Sequence, residues 1–314
     1  MKTLAILLLI LSSNAFAQQW PQRAVKVVVP FPPGGVTDSI ARITADWLTP
    51  RLGQPVIAEN RPGASGAIAA EFVARADADG YTLFSAATPQ LAIVPYVQKV
   101  SYDPLTSFAP ISIVGTNPFA LACNEKLPPK SLGEFVAYAK ERPGQLSFAS
   151  PGSGSVGHLT MALFLARAGL KMEAVLYKGG GPAMADVLAG HVPCYFGNLN
   201  EIIPHAGGGR IKVYAVSGER RAPQLPQVPT VAEQGYAGFR TVTWNGYVAP
   251  AGTPREIVER IAREIAAGCK DAGFIERLNK IGVDPACSTP AEFSQAIRDD
   301  LATWKEAVQA AGIK

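Results

Sequence analysis

Along most of the chain, short apolar runs alternate with longer stretches in which apolar positions recur every three or four residues. The run "VKVVVPF" (25–31) reads as a strand, and the helical period follows it from about Thr37 to Leu52. "PVIAENRP" (55–62) precedes a short helix in "ASGAIAAEFVARA", and "GYTLFSA" (80–86) precedes "PQLAIVPYV". This is repeated β-α-β, which implies a parallel sheet covered on both faces.

The grammar continues from near Cys123. Ser131 and Glu134 form a capping-box pattern for the helix "SLGEFVAYAKERPG". Three units of strand, Gly-rich turn and helix then follow one another: "QLSFASPGSGSVGHLTMALFLARAG", "EAVLYKGGGPAMADVLAGH" and "VPCYFGNLNEIIPHAGGG". "IKVYAVSG" closes the section as a strand. The connector "RRAPQLPQVPTVAEQG" is too proline-rich for a central strand, and "FRTVTWNGYVAPAGTP" leads back. Two helices end the chain. One places Ile257, Ile261 and Ile265 on one face; the other does so with Phe293, Ile297, Leu301 and Trp304.

The N-terminus breaks this pattern. Lys2, the apolar run Leu4 to Leu11 and Ala15-Phe16-Ala17 read as a signal peptide, residues 1–17, cleaved after Ala17. No later apolar segment reaches a membrane-spanning length without Pro, Gly or charge, so the mature chain is expected to be soluble and exported. At 314 residues the chain is too long for one ordinary core and suggests two domains. The net charge of +4 is spread over scattered lysines and arginines, which gives nucleic-acid binding no support. The four cysteines, Cys123, Cys194, Cys269 and Cys287, have no metal-like spacing. Cys269 ends a helical pattern and Cys287 follows a nearby short strand, so these two are the favoured disulfide; the alternative is four buried thiols.

Chemistry concentrates in four turns: "PFPPGGVTD" (30–38), "ASPGSGSVGH" (149–158), "YKGGGPAMAD" (177–186) and "FGNLNE" (196–201). Each follows a strand and opens a helix. Free backbone N–H groups and the positive end of the helix dipole meet there and make an anion site. Glycine lets the backbone take φ > 0 and approach a ligand closely. Asp38, beside Thr37, holds the first loop, a bridging water or a cationic part of a ligand; loop-holding is favoured, because a carboxylate repels a carboxylate ligand. Asp186 reads as a first-turn acid favoured by the helix dipole.

Other chemistries fit less well. "GSGSVG" (152–157) matches a dinucleotide fingerprint in form, but no acidic residue closes the next strand, which ends in Tyr177-Lys178. There is no HExxH or P-loop, and G-x-S-x-G fails at Ser155. The three histidines, His158, His191 and His205, are too scattered to suggest a metal, and no cofactor is called for. The rival to a binding protein is an exported hydrolase using the Ser153/Ser155–His158 loop, although the spacing supplies no third orienting group.

The stretches "PFPPGGVTDSIAR", "ENRPGASG", "DGYTLF", "SFASPGSGSVGHLTMALF", "YKGGGPAMADVLAGHV", "PQVPTVAEQGY", "WNGYVAPAGTP" and "STPAEFSQAI" occur in order over nearly the whole mature chain. Together they resemble the Bug family, the extracytoplasmic receptors of tripartite tricarboxylate transporters. The resemblance implies an α/β, two-lobed periplasmic-binding-protein-like fold, type II-like. Each lobe has a mixed, mostly parallel sheet flanked by helices, with the ligand cleft between them. Residues 18–122 plus 246–314 would form lobe 1, and 123–245 lobe 2. The resemblance further implies a non-enzymatic, monomeric receptor in the periplasm. It would take a small organic acid (a di- or tricarboxylate, acidic amino acid or aromatic carboxylate) and pass it to membrane transporter subunits or signal through a sensor kinase.

Carried onto this chain, the resemblance points to Phe31, Gly34, Gly35, Thr37 and Asp38 in lobe 1, with Thr88 a weaker candidate. In lobe 2 it points to Ser150, Ser153, Gly154, Ser155 and His158, with Tyr177, Gly179 and Asn198 nearby. One departure is Gly197, where many relatives carry an aspartate; a role assigned there by analogy does not transfer.

Overall fold

The computed structural model describes residues 20–313; the signal peptide read at 1–17 lies outside the described residues. The first strand, β1 (Val25–Val29), leads into α1 (Val36–Leu52), which stops at Gly53 in the left-handed conformation, φ +74°. β2 (Val56–Asn60), α2 (Ala67–Ala74), β3 (Thr82–Ala87) and the short α3 (Val94–Val97) complete the first run. β1 pairs parallel with β2 and β3, and its valines are buried on both faces, which explains the unbroken apolar run.

The 17-residue strand β4 (Phe108–Asn124) organises the rest. The second run is α4 (Leu132–Lys140), β5 (Ser147–Ser150), α5 (Val156–Ala168), β6 (Glu173–Leu176), α6 (Gly180–Ala189), β7 (Cys194–Asn198), α7 (Leu199–Ala206) and β8 (Ile211–Val216). β9 (Val242–Pro250), α8 (Arg255–Gly268), α9 (Ala272–Lys280), β10 (Asp284–Pro285) and α10 (Pro290–Ala310) follow. The fold is α/β and two-lobed, and β4 belongs to both lobes. Its first part runs antiparallel between β9 and β10. Its last six residues, from Phe119, run antiparallel to β7, with β8 on the other side. The outer pairs, β5 with β6 and β5 with β7, are parallel.

Two segments cross between the halves near Pro118 and Thr241. Ser217 ties them together: its backbone exchanges bonds with Phe119 and Thr241, and its hydroxyl donates to the Thr241 carbonyl. α10 also reaches across. Phe293 and Ile297 lie in the core around β3 and β9, whereas Trp304, Ala307 and Val308 lie in the core around α5 and β7. Thr289 and Glu292 close a reciprocal capping box at its start. At α4 the box is half made: Ser131 accepts from Glu134 N–H, but Glu134 turns to Lys130 N–H.

Cys269 and Cys287 are disulfide-bonded. So are Cys123 and Cys194, which face each other across the β4–β7 ladder. The second bridge was not read from the sequence.

Candidate functional site

The carboxyl ends of β1, β5 and β7 face one another between the halves, and a cavity of about 480 Å³ lies there. The turn Phe31–Thr37 forms one wall. Pro151, Ser155, Val156 and Gly157 form the opposite one, and Asn198 and Glu201 of the fourth turn complete it. A neighbouring cleft of about 430 Å³ continues past Phe31 to Ser153 and Gly154. Asn117 and Phe119 of β4, with Thr243 and Asn245 of β9, line the cavity from the crossing segments.

The first turn owes its shape to Gly34, at φ +92°, and to Asp38. The Asp38 carboxylate accepts from Gly34 N–H (3.0 Å), from Arg42 Nε and Nη2 (2.9 Å each) and from Asn60 Nδ2 (2.8 Å). Burial raises the Asp38 pKa, but the hydrogen bonds from Arg42, Gly34 and Asn60 outweigh it and hold the carboxyl below its ordinary value. The acid is thus engaged by the loop and does not line the cavity. Gly35 caps α1 with no side-chain acceptor for the first-turn N–H groups. They remain available as donors at the positive end of a 17-residue helix. Thr37 Oγ1 lines the cavity and donates to Asn245 Oδ1 at 2.7 Å.

The second turn is braced from within. Ser155 Oγ donates to the Gly152 carbonyl (2.7 Å) and accepts from His158 N–H (3.3 Å), which caps α5. His158 Nδ1 accepts from Gly154 N–H at 3.1 Å, and Ser150 Oγ donates to the Gly152 carbonyl. His158 therefore holds the loop with a neutral ring, and burial lowers its pKa below 6.5. No hydrogen bond joins the Ser155 and His158 side chains, so the nucleophile–base contact of a hydrolase is not assembled there. Because the unfolded chain protonates this histidine first, its contribution to stability is lost as pH falls below about 6.5. In His158→Asn the urea midpoint should decline less between pH 7.5 and 5.5 than in the wild type. An equal decline in both would show that other groups carry the dependence.

The remaining candidates separate. Tyr177 donates to Asp186 (2.5 Å), and Gly179 N–H to the Pro151 carbonyl (3.0 Å), so the third turn backs the second from outside the cavity. Thr88 is fully buried and accepts from Trp244 N–H at 2.9 Å, a bond that fixes β9. Asn198 lines the cavity with its Oδ1 buried and unpartnered. Gly197 carries no side chain because the Tyr195 ring covers its face of β7. Asn117, Tyr195, Glu201, Thr243 and Asn245 were not singled out in the sequence, although Glu201 lies inside the marked turn 196–201 and Tyr195 directly precedes it.

Opposed helix N-termini across a cavity between two lobes define a solute-binding receptor. Residues 40–313 match the family described as "Tripartite tricarboxylate transporter family receptor". The chain is 36% identical to Protein BugT of Bordetella pertussis over 95% of this chain and 92% of that one. Among solved structures it is similar to Rpa4515 of R. palustris with adipate (TM-score 0.77, 36% identity, 94% and 99% of the two chains). It is also similar to MatC of Rhodopseudomonas palustris with bound malate (0.73, 31%, 92% and 100%). A solute-binding protein from Polaromonas without ligand gives 0.85 at 28% identity, over 92% and 99%. The chain belongs to the tripartite tricarboxylate transporter receptor family, whose members include the Bug proteins.

Proposed function

We propose that this protein is a periplasmic receptor that captures a small organic acid between its lobes and delivers it to a tripartite-type membrane transporter. The observation that carries this reading is the placement of the α1 and α5 N-termini on opposite walls of one 480 Å³ cavity. Backbone N–H groups at such ends recognise carboxylate oxygens without a charged side chain. The adipate of Rpa4515 and the malate of MatC, two similar structures, support an acid as cargo. Taking 18–122 with 246–314 as one lobe and 123–245 as the other, ligand contacts from both walls would draw the lobes together. A closed state favoured by that differential affinity is something a membrane partner can read. The greater likeness to a ligand-free relative, despite lower identity, supports an open starting state.

Thermal unfolding of the mature protein against mono-, di- and tricarboxylates, acidic amino acids and aromatic acids tests this. A ligand at 100 times its dissociation constant should add about 2.7 kcal/mol. Silence across the whole panel would sink the reading. Gly157→Ala should weaken whichever acid binds, because a β-carbon there would lie 2.8 Å from the Phe196 carbonyl and displace the start of α5. Wild-type affinity in that variant would show that α5 supplies no contact.

A further inference from the structure

Two walls of the cavity present backbone donors, whereas its floor carries a carboxylate. Glu201 enters at the third residue of α7, and its Oε2 accepts a 2.8 Å bond from Tyr195 OH. The Asn198 backbone N–H also favours its charged form. The carboxylate lies against Gly180, where any side chain would collide with it. Among the described residues no Lys, Arg or His pairs with Glu201. Burial pushes its pKa up, against the lowering effect of Tyr195 and Asn198. An unpaired carboxyl on a cavity wall is costly unless it neutralises or finds a cation.

Two amide oxygens share this floor. Asn117 lines the cavity, is only 4% exposed, and has no partner for Oδ1. Its Nδ2 donates to the Gly282 carbonyl, which fixes the amide so that the oxygen is the free end. Asn198 Oδ1 is likewise buried without a partner. The floor therefore carries the α7 carboxylate beside two buried amide oxygens, from β4 and β7, that no protein donor satisfies. A second carboxylate on the ligand would meet the Glu201 carboxylate here. A protonated amine has N–H donors and a positive charge, which match a carboxylate that no cation of the chain pairs.

We propose that Glu201, with Asn117 and Asn198, selects cargo that carries a protonated amine at the end away from its carboxylate. This narrows the carboxylate-receptor reading and rests on it. The acid end of the ligand sits at the helix termini and the ammonium end on the floor.

The test uses three pairs matched in chain length: succinate with 4-aminobutanoate, glutarate with 5-aminopentanoate, and adipate with 6-aminohexanoate, measured by titration calorimetry on the wild type and on Glu201→Gln. In the wild type the amino acid of the best-binding pair should bind at least tenfold tighter than its diacid. In Glu201→Gln that preference should fall at least tenfold, mainly through weaker binding of the amino acid. The wild-type ratio stands even if the variant folds poorly. Diacids binding as tightly as their amino counterparts would overturn this inference and leave the carboxylate reading intact. So would an amine preference unchanged in a folded Glu201→Gln. Failure of all six probes, together with silence across the broader acid panel, would remove both.

Discussion

Asp38→Ala is expected to cost about 2–3 kcal/mol of stability and to weaken binding of the cognate acid at least tenfold. The stability figure follows from the geometry. The carboxylate is 3% exposed and accepts four hydrogen bonds from Gly34, Arg42 and Asn60. Removing it takes the charged acceptor from Gly34 N–H, Asn60 Nδ2 and Arg42, and hydrogen bonds to a charged group contribute about 1.5–3 kcal/mol each at most. Asn60 keeps its bond to the Phe31 carbonyl, and the exposed Gly34 N–H recovers water. The Arg42 side chain is half exposed and recovers water, which keeps the loss below that of a fully buried pair. The affinity loss has a separate cause. Gly34 at φ +92° and the uncapped start of α1 are held where the cavity needs them only while Asp38 accepts from Gly34 N–H. Without that anchor the N–H groups facing the ligand must be ordered on binding, an entropic cost the wild type has already met. Because its pKa is depressed, Asp38 stabilises the fold above its unfolded value of about 3.8 and loses that contribution as pH falls through the lower folded value. The variant should therefore show a shallower acid arm in urea titrations between pH 5 and 2. Unchanged affinity in a folded Asp38→Ala would show that the turn is held by α1 alone.

Loop-holding by Asp38 was legible because its cause is local: Gly34 and Arg42 lie four residues either side of it. The helices were legible for the same reason, since caps and periodicity sit within one segment. β4 was not. Pro110, Gly115 and Pro118 interrupt its pattern, and burial on both faces removes the alternation that marks a half-exposed strand. The prolines are accommodated at register shifts near Pro110 and at the crossing beside Pro118. The floor of the cavity was lost with β4, because Asn117 comes from that strand. Glu201 escaped for another reason. An acid in a first helical turn ordinarily answers the dipole, and only the paths of β7 and α6 turn this one toward a cavity wall. Ser150, His158 and Thr88 were pointed to by the family resemblance, but a motif alone cannot tell a group that meets the ligand from one that braces the loop meeting it.

Removing the Cys123–Cys194 bridge should cost about 4 kcal/mol, against about 3 kcal/mol for Cys269–Cys287, because the bridges span 71 and 18 residues. The first difference should also appear in function. Cys123 and Cys194 are directly opposed in the antiparallel ladder of β4 and β7. Four residues along that ladder, Phe119 faces Asn198, and both line the cavity. The bridge thus clips the register of the two strands that carry Asn117, Tyr195 and Asn198 to the floor, and a slip of one residue would turn those side chains to the other face. The second bridge joins the end of α8 to the segment after β10, away from the cavity. Cys123→Ala/Cys194→Ala should therefore lower both the urea midpoint and the ligand affinity, whereas Cys269→Ala/Cys287→Ala should lower the midpoint and leave affinity within about twofold. Equal affinity in both double variants would mean that hydrogen bonding and the packing of Leu121 against Phe196 set the β4–β7 register without the bridge.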